Sequence, residues 1–164
     1  MHFEESKQVL RNSHLFQDLH DTHLDLVLMT CEELNYQSGE IIFHQDDPGD
    51  ALYIIARGEV EIILETEDEE KPMELAVLKE HDTFGEAVLI EEGARSATAR
   101  CRTNVSLVRL PRKRLLQTVE DYPEIGFYIM RRMAADLMEK LRTANLNIRR
   151  VAGQQSMNFS HAVA

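Results

Sequence analysis

Between Gln37 and Leu110 the chain is interrupted every few residues by a turn, and that rhythm restricts the fold more than any other feature of the sequence. Ser38-Gly39 reads as a turn, Glu40 to Phe43 as a short β run, Asp46-Asp47-Pro48-Gly49-Asp50 as a second turn, and Ala51 to Ala56 as an apolar β run ended by Arg57-Gly58. Pro presets φ and Gly tolerates positive φ, so residues placed this way reverse the chain rather than extend it. Glu59, Val60, Glu61 and Ile62 alternate before Ile63-Leu64; the acidic run Glu65 to Lys71 then reads as an exposed hairpin tip, with Met73 to Leu78 as the returning strand. Ala97 to Cys101 and Val105 to Leu110 continue the pattern. Short strands separated by turns at regular spacing argue for an antiparallel barrel or sandwich.

Helical periodicity brackets this β region. Residues 1–34 read as short helices: His20-Asp21-Thr22 offers an N-cap, Asp25 completes a capping box with Thr22, and Leu24, Val27, Leu28 and Cys31 share a face. Pro111 suits a first helical turn, residues 112–120 form a short helix, and Asp121-Tyr122-Pro123 leads into a longer one that runs to about Arg150. In that helix Met130, Ala134, Leu137, Leu141, Ala144 and Ile148 recur at spacings of 4, 3, 4, 3 and 4. A 3.5-residue repeat favours a partner helix, and so a dimer, over the alternative of a stripe that covers the chain's own barrel. Residues 151–164 lack pattern and read as a tail.

The 164 residues, 43% hydrophobic, suit one domain with its own core. No apolar run approaches the roughly 20 residues of a membrane span, and residues 1–10 carry no signal-peptide core. Cys31 and Cys101 form no metal-like or redox-like pair, so the reduced cytoplasm is the simplest setting. Residues 1–108 hold 8 of the 18 basic and 24 of the 29 acidic residues, a net of −16, whereas residues 109–164 carry a net of +5. An acidic body argues against non-specific nucleic-acid binding. The basic carboxyl-terminal segment is a solvated face or a surface for a protein partner.

The candidate site lies in Phe84 to Thr98, where Gly85 stands beside Glu86 and Glu86 precedes Arg95, with Ser96 next to it, by nine residues. Turn amides released by Gly85, together with a guanidinium at Arg95, suit a phosphate, and Glu86 suits a sugar hydroxyl. An ordinary Glu86–Arg95 ion pair bracketing a loop fits the same residues. His20 and His23 have no obvious third metal ligand, and His44 and His81 are isolated in the β region, so no metal is expected. No serine or cysteine nucleophile has an evident base, and the chain reads as a non-enzyme.

Over about residues 10 to 150 the order of elements resembles the cyclic nucleotide-binding domain family, in particular its bacterial branch related to the catabolite activator protein. The resemblance rests on Ser38-Gly39-Glu40, Asp47-Pro48-Gly49-Asp50, Arg57-Gly58-Glu59-Val60, and a phosphate-binding cassette Phe84-Gly85-Glu86-Ala87 followed by Ala94-Arg95-Ser96-Ala97. It implies a mainly β, α+β fold: an antiparallel, jelly-roll-like β-roll over residues 35–110, flanked by N-terminal helices over 1–34 and by C-terminal helices over 111–150. It further implies that Arg95 pairs with the exocyclic phosphate oxygens and Glu86 with the ribose 2′-hydroxyl, while the Gly85 and Glu86 amides and Ser96 complete the cradle. Leu137, Lys140 and Leu141 fall where the family contacts the base, yet Leu141 cannot read one by hydrogen bonding, and Val88 stands where alanine is common. Ser96 favours cyclic AMP over cyclic GMP. No helix-turn-helix, kinase or cyclase segment is expected after Arg150, so the chain reads as a stand-alone sensor that acts through an effector protein. A dimeric scaffold that binds no ligand, or a cyclic dinucleotide, is the alternative.

Overall fold

The computed structural model describes residues 3–66 and 72–162, with side chains described no further than Arg149. Among the described residues four α-helices, α1 (Phe3–Asn12), α2 (Asp21–Leu28), α3 (Arg112–Asp121) and α4 (Pro123–Ala162), frame eight strands. These are β1 (Glu32–Tyr36), β2 (Ile41–Phe43), β3 (Ala51–Arg57), β4 (Val60–Leu64), β5 (Met73–Leu78), β6 (Thr83–Phe84), β7 (Thr98–Cys101) and β8 (Val105–Pro111). They form two four-stranded antiparallel sheets, ordered β1-β8-β3-β6 and β2-β7-β4-β5. The expected antiparallel β-roll between helices is therefore the observed fold.

The reason β3 anchors it is visible in its residues. Ala51, Leu52, Tyr53, Ile54 and Ile55 are all buried, because β3 is covered on both faces. Ala51, Tyr53 and Ile55 meet Val60, Phe84, Ala99, Cys101, Val105 and Leu107 between the sheets. Leu52 and Ile54 point the other way; α1, α2 and α3 supply buried Leu10, Leu24 and Leu115, and the turn between α1 and α2 supplies buried Phe16. Each such aliphatic or aromatic side chain removed from water contributes about 1.5–3 kcal/mol. At the opposite extreme, β5 lies at a sheet edge and is exposed on both faces from Met73 to Ala76.

Several boundaries differ from the expected ones. Glu32–Tyr36 is a strand that begins inside the segment assigned to helices; pairing with β8 along Glu32↔Arg109 to Tyr36↔Val105 outweighs the weak strand propensity of Glu and Asn. The two-residue β6 is too short to leave a periodic trace. The N-cap of α2 is His20 without a side-chain bond, and the Thr22–Asp25 capping box is not made; Asp25 instead pairs with Lys7 at 2.5 Å. The backbone of α4 continues to Ala162 rather than ending at Arg150, since residues 151–162 contain no proline and Gly153 alone is too weak a breaker. Most of the expected acidic hairpin tip, residues 67–71, lies outside the described residues.

The chain divides into two compact units, Met1–Tyr128 and Ile129–Ala164. The first contains the roll, α1 to α3 and the opening turns of α4; the second is the remainder of α4.

Candidate functional site

Two strand-like segments fix Arg95. The turn at Asp46–Asp50 runs antiparallel to residues 93–95: Asp46 N–H donates to Arg95 O (2.9 Å), Arg95 N–H to Asp47 O (2.8 Å) and Gly49 N–H to Gly93 O (2.9 Å). Close approach needs glycine here, because a Cβ on Gly49 would lie 2.7 Å from Val88 Cγ1 and 3.2 Å from the Gly93 carbonyl. The turn motif and the cassette, distant in sequence, are thus one construction.

Arg95 is 6% exposed. Its Nη2 donates to the Ala51 carbonyl at 2.7 Å and lies 3.5 Å from Asp50 Oδ1, and its Nη1 reaches the Gly85 carbonyl at 3.4 Å. The guanidinium lies 4.2 Å from the centre of the Phe43 ring and 5.7 Å from that of Tyr53. Phe43, Tyr53 and Phe84 form the floor, with Tyr53 stacked on Phe84 at 5.2 Å. Cation–π contact offsets part of the desolvation cost of the charge. Burial nevertheless pulls the guanidinium below its usual pKa, against the opposing influence of Tyr53 and Asp50. Its buried Nε has no hydrogen-bond partner among the described residues. A buried, partly unsatisfied cation of this kind is a site poised for an anion.

Gly85 sits over this cation in the left-handed region, φ 74°, and starts the 3₁₀ turn Glu86–Leu89. A Cβ there would approach Arg95 Nη1 to 2.7 Å, so both backbone shape and space require glycine. The first N–H groups of such a turn have no acceptor within it. Glu86 is half-buried, Ala87 and Ser96 are exposed, and Phe84 and Ala97 are buried. The alternative Glu86–Arg95 ion pair is not the arrangement adopted: the carboxylate at Arg95 is Asp50. Turn pairing places Asp50 there while Glu86 lies on the 3₁₀ turn, and a lone sequence spacing does not distinguish the two.

Asp50 also accepts from Arg109 Nη2 at 2.5 Å, and Arg109 Nη1 donates to Glu32 Oε2 at 2.6 Å. Arg114 Nη1 reaches Glu32 Oε1 at 3.1 Å, which ties α3 to the same chain of charges. Burial alone would lower the Arg109 pKa, but the bonds to Glu32 and Tyr53 and the charge of Asp50 outweigh it and hold the pKa above the ordinary arginine value. Phe43, Asp50, Tyr53 and Arg109 were not among the expected site residues. Only the turn containing Asp50 carried a sequence signal.

The structure brings together the cassette residues at 84–87 and 95–97 within the first unit. Leu137, Lys140 and Leu141 belong to the second unit and are exposed there, as are Ala134, Ala144 and Ile148; Met130 is half-buried. Among the described residues no group of three or more His, Cys, Asp or Glu is placed to hold a metal ion, and no helix is long and apolar enough to cross a membrane.

The sequence model of the cyclic nucleotide-binding domain matches residues 33–122, from β1 through α3. This chain belongs to that family. It is 32% identical over 149 residues to the cyclic AMP receptor protein of Thermus thermophilus, a match covering 91% of this chain and 67% of that protein. The N-terminal domain of a transcriptional regulator from Streptomyces coelicolor superposes with a TM-score of 0.73 at 30% identity, covering 80% of this chain and 92% of that one. The regulatory domain of Toxoplasma gondii PKA, solved with cAMP, gives 0.66 at 27% identity over 73% of this chain and 45% of its own. The cassette, the turn that holds it and α3 therefore lie inside the family's defining segment.

Proposed function

We propose that this protein is a cyclic-nucleotide sensor, binding cyclic AMP in preference to cyclic GMP and passing the signal to an effector protein rather than catalysing a reaction. The observation that carries the reading is the state of Arg95: a desolvated cation with an unpartnered Nε, under a glycine whose φ of 74° opens the 3₁₀ turn Glu86–Leu89. In this reading Arg95 takes the phosphate oxygens with the Gly85 and Glu86 amides and Ser96, and Glu86 accepts from the ribose 2′-hydroxyl. Phe84, Ala87 and Ala97 shape the pocket wall, and Leu137 and Leu141 cover the base with Lys140 beside them. The names of the Thermus relative and the cAMP-bound Toxoplasma structure support a cyclic mononucleotide as ligand. Met130, Ala134, Leu137, Leu141, Ala144 and Ile148 form the seam of a homodimer, and a ligand that binds one arrangement of the paired helices better shifts the population toward it. A protein of this kind works in the cytoplasm and needs no resident cofactor or metal.

Calorimetric titration with cyclic AMP and cyclic GMP tests the reading. Two charge-assisted bonds at about 1.5–3 kcal/mol each predict that Arg95→Ala weakens binding by at least about 100-fold. Wild-type protein that binds neither nucleotide below about millimolar sinks it.

One observation favours the second reading, a scaffold that takes no cyclic mononucleotide. Both terminal nitrogens of Arg95 already donate to protein carbonyls, at Ala51 and Gly85, which leaves fewer of its N–H groups for a phosphate. A thermal midpoint unmoved by any cyclic mono- or dinucleotide supports it, because a ligand of the folded state at 100 times its Kd adds roughly 2.7 kcal/mol to stability.

A further inference from the structure

Asp50 is shared between two guanidiniums, and the sharing is unequal. Its Oδ2 accepts from Arg109 at 2.5 Å, whereas its Oδ1 stands 3.5 Å from Arg95, at the limit of a hydrogen bond. The Asp50 side chain is 64% exposed, so it has freedom to move, while those of Arg95 and Arg109 are 4% and 20% exposed and are held in place. A free carboxylate beside a phosphate site harms binding twice: it repels the anion and it occupies the cation that the anion needs. Arg109 opposes both effects, because it neutralises Asp50 and draws it towards β8. Arg109 is itself fixed from the other side by Glu32, which Arg114 of α3 also holds.

We infer that Arg109 is a positioning residue for the anion site, which by gripping Asp50 keeps that carboxylate from closing on Arg95 and leaves the guanidinium available to phosphate. The role rests on the cyclic-nucleotide reading, and Arg109 itself touches no ligand.

The test is a double-mutant cycle read by cyclic AMP titration of the wild-type protein, Arg109→Met, Asp50→Asn and the double variant. Coupling between neighbouring charged groups predicts that Arg109→Met weakens binding about tenfold and that Asp50→Asn alone tightens it about threefold. In the Asp50→Asn background Arg109→Met then has less than about a twofold effect, since the carboxylate it restrains is gone. A purely structural role predicts something else, namely equal weakening in both backgrounds, and that result overturns the inference, as does no effect in either. Should Arg109→Met fail to fold, the Asp50→Asn variant decides alone: tighter binding supports the role and weaker binding overturns it. Wild-type protein that binds neither cyclic AMP nor cyclic GMP overturns the nucleotide reading and this role with it, whereas additive effects on a tightly binding wild type overturn only the role of Arg109.

Discussion

Arg95 is 6% exposed although it carries a full charge, whereas Leu137 and Leu141 are 57% and 58% exposed although they carry none. The two regions break the inside–outside rule in opposite directions. Arg95 stays buried because local structure compensates it within one chain: two carbonyls, an aromatic ring, a carboxylate at the edge of reach. Among the described residues nothing comparable shields the stripe between Leu137 and Ile148 of α4, where Leu146 is also exposed. Exposed apolar side chains in a row are the mark of a surface completed by another molecule. A cassette fixed by its own backbone and an exposed stripe proposed as a dimer seam should therefore respond differently to substitution.

The largest effect is expected at Gly85. Adding a methyl group there forces a left-handed residue with a side chain against Arg95 Nη1, and Gly85→Ala should lower cyclic nucleotide affinity by about two orders of magnitude through strain and displacement of the cation. Sedimentation should meanwhile show an unchanged oligomer; if the oligomer is lost as well, cassette and stripe are not independent. Next comes the stripe. Replacing Leu137 and Leu141 by serine removes side chains whose partial burial in the proposed seam is worth only a fraction of the about 1.5–3 kcal/mol of full burial each, so the dissociation constant of that dimer should rise about tenfold in equilibrium sedimentation. An unchanged sedimentation profile removes the dimer seam from consideration.

Glu86→Gln should have an intermediate effect, about tenfold on cyclic AMP and little on its 2′-deoxy analogue, since the lost charge-assisted bond goes to the 2′-hydroxyl. Equal losses for both ligands would remove Glu86 from the sugar site. The smallest effect concerns support beneath the roll. Burial pushes the pKa of the Cys31 thiol up to about 12, well above the ordinary thiol range, against the Thr30 bond and with help from Glu32 and Glu33. A raised folded pKa gives a contribution that is complete below pH 9 and lost as pH rises towards 12. The wild-type melting midpoint should thus fall relative to Cys31→Ala over that window, and parallel curves would contradict it.

Much of this was legible from the chain itself. Pro48-Gly49 and Arg57-Gly58 mark real reversals, and Gly85 with Arg95 marks the cassette, because turn chemistry acts over a few residues and leaves a local trace. Asp50 was legible as a turn residue but not as the partner of Arg95, since that contact depends on residues 46–49 pairing with 93–95. The cushion of Phe43, Tyr53 and Phe84 likewise assembles from three strands. Strand β1 escaped notice because its burial is decided by β8 rather than by the character of Glu32, Glu33 and Asn35.

The edge position of β5 has a colloidal consequence. Met73 and Leu75 are about half exposed beside a strand rim that no other described strand covers, and such a rim is a template for another copy of the same strand. The sequence just before it reads Glu65, Glu67, Asp68, Glu69 and Glu70. Like charges repel within a Debye length of roughly 10 Å. The net charge of −11 therefore opposes the meeting of two such rims, a contribution of composition to solubility rather than to fold.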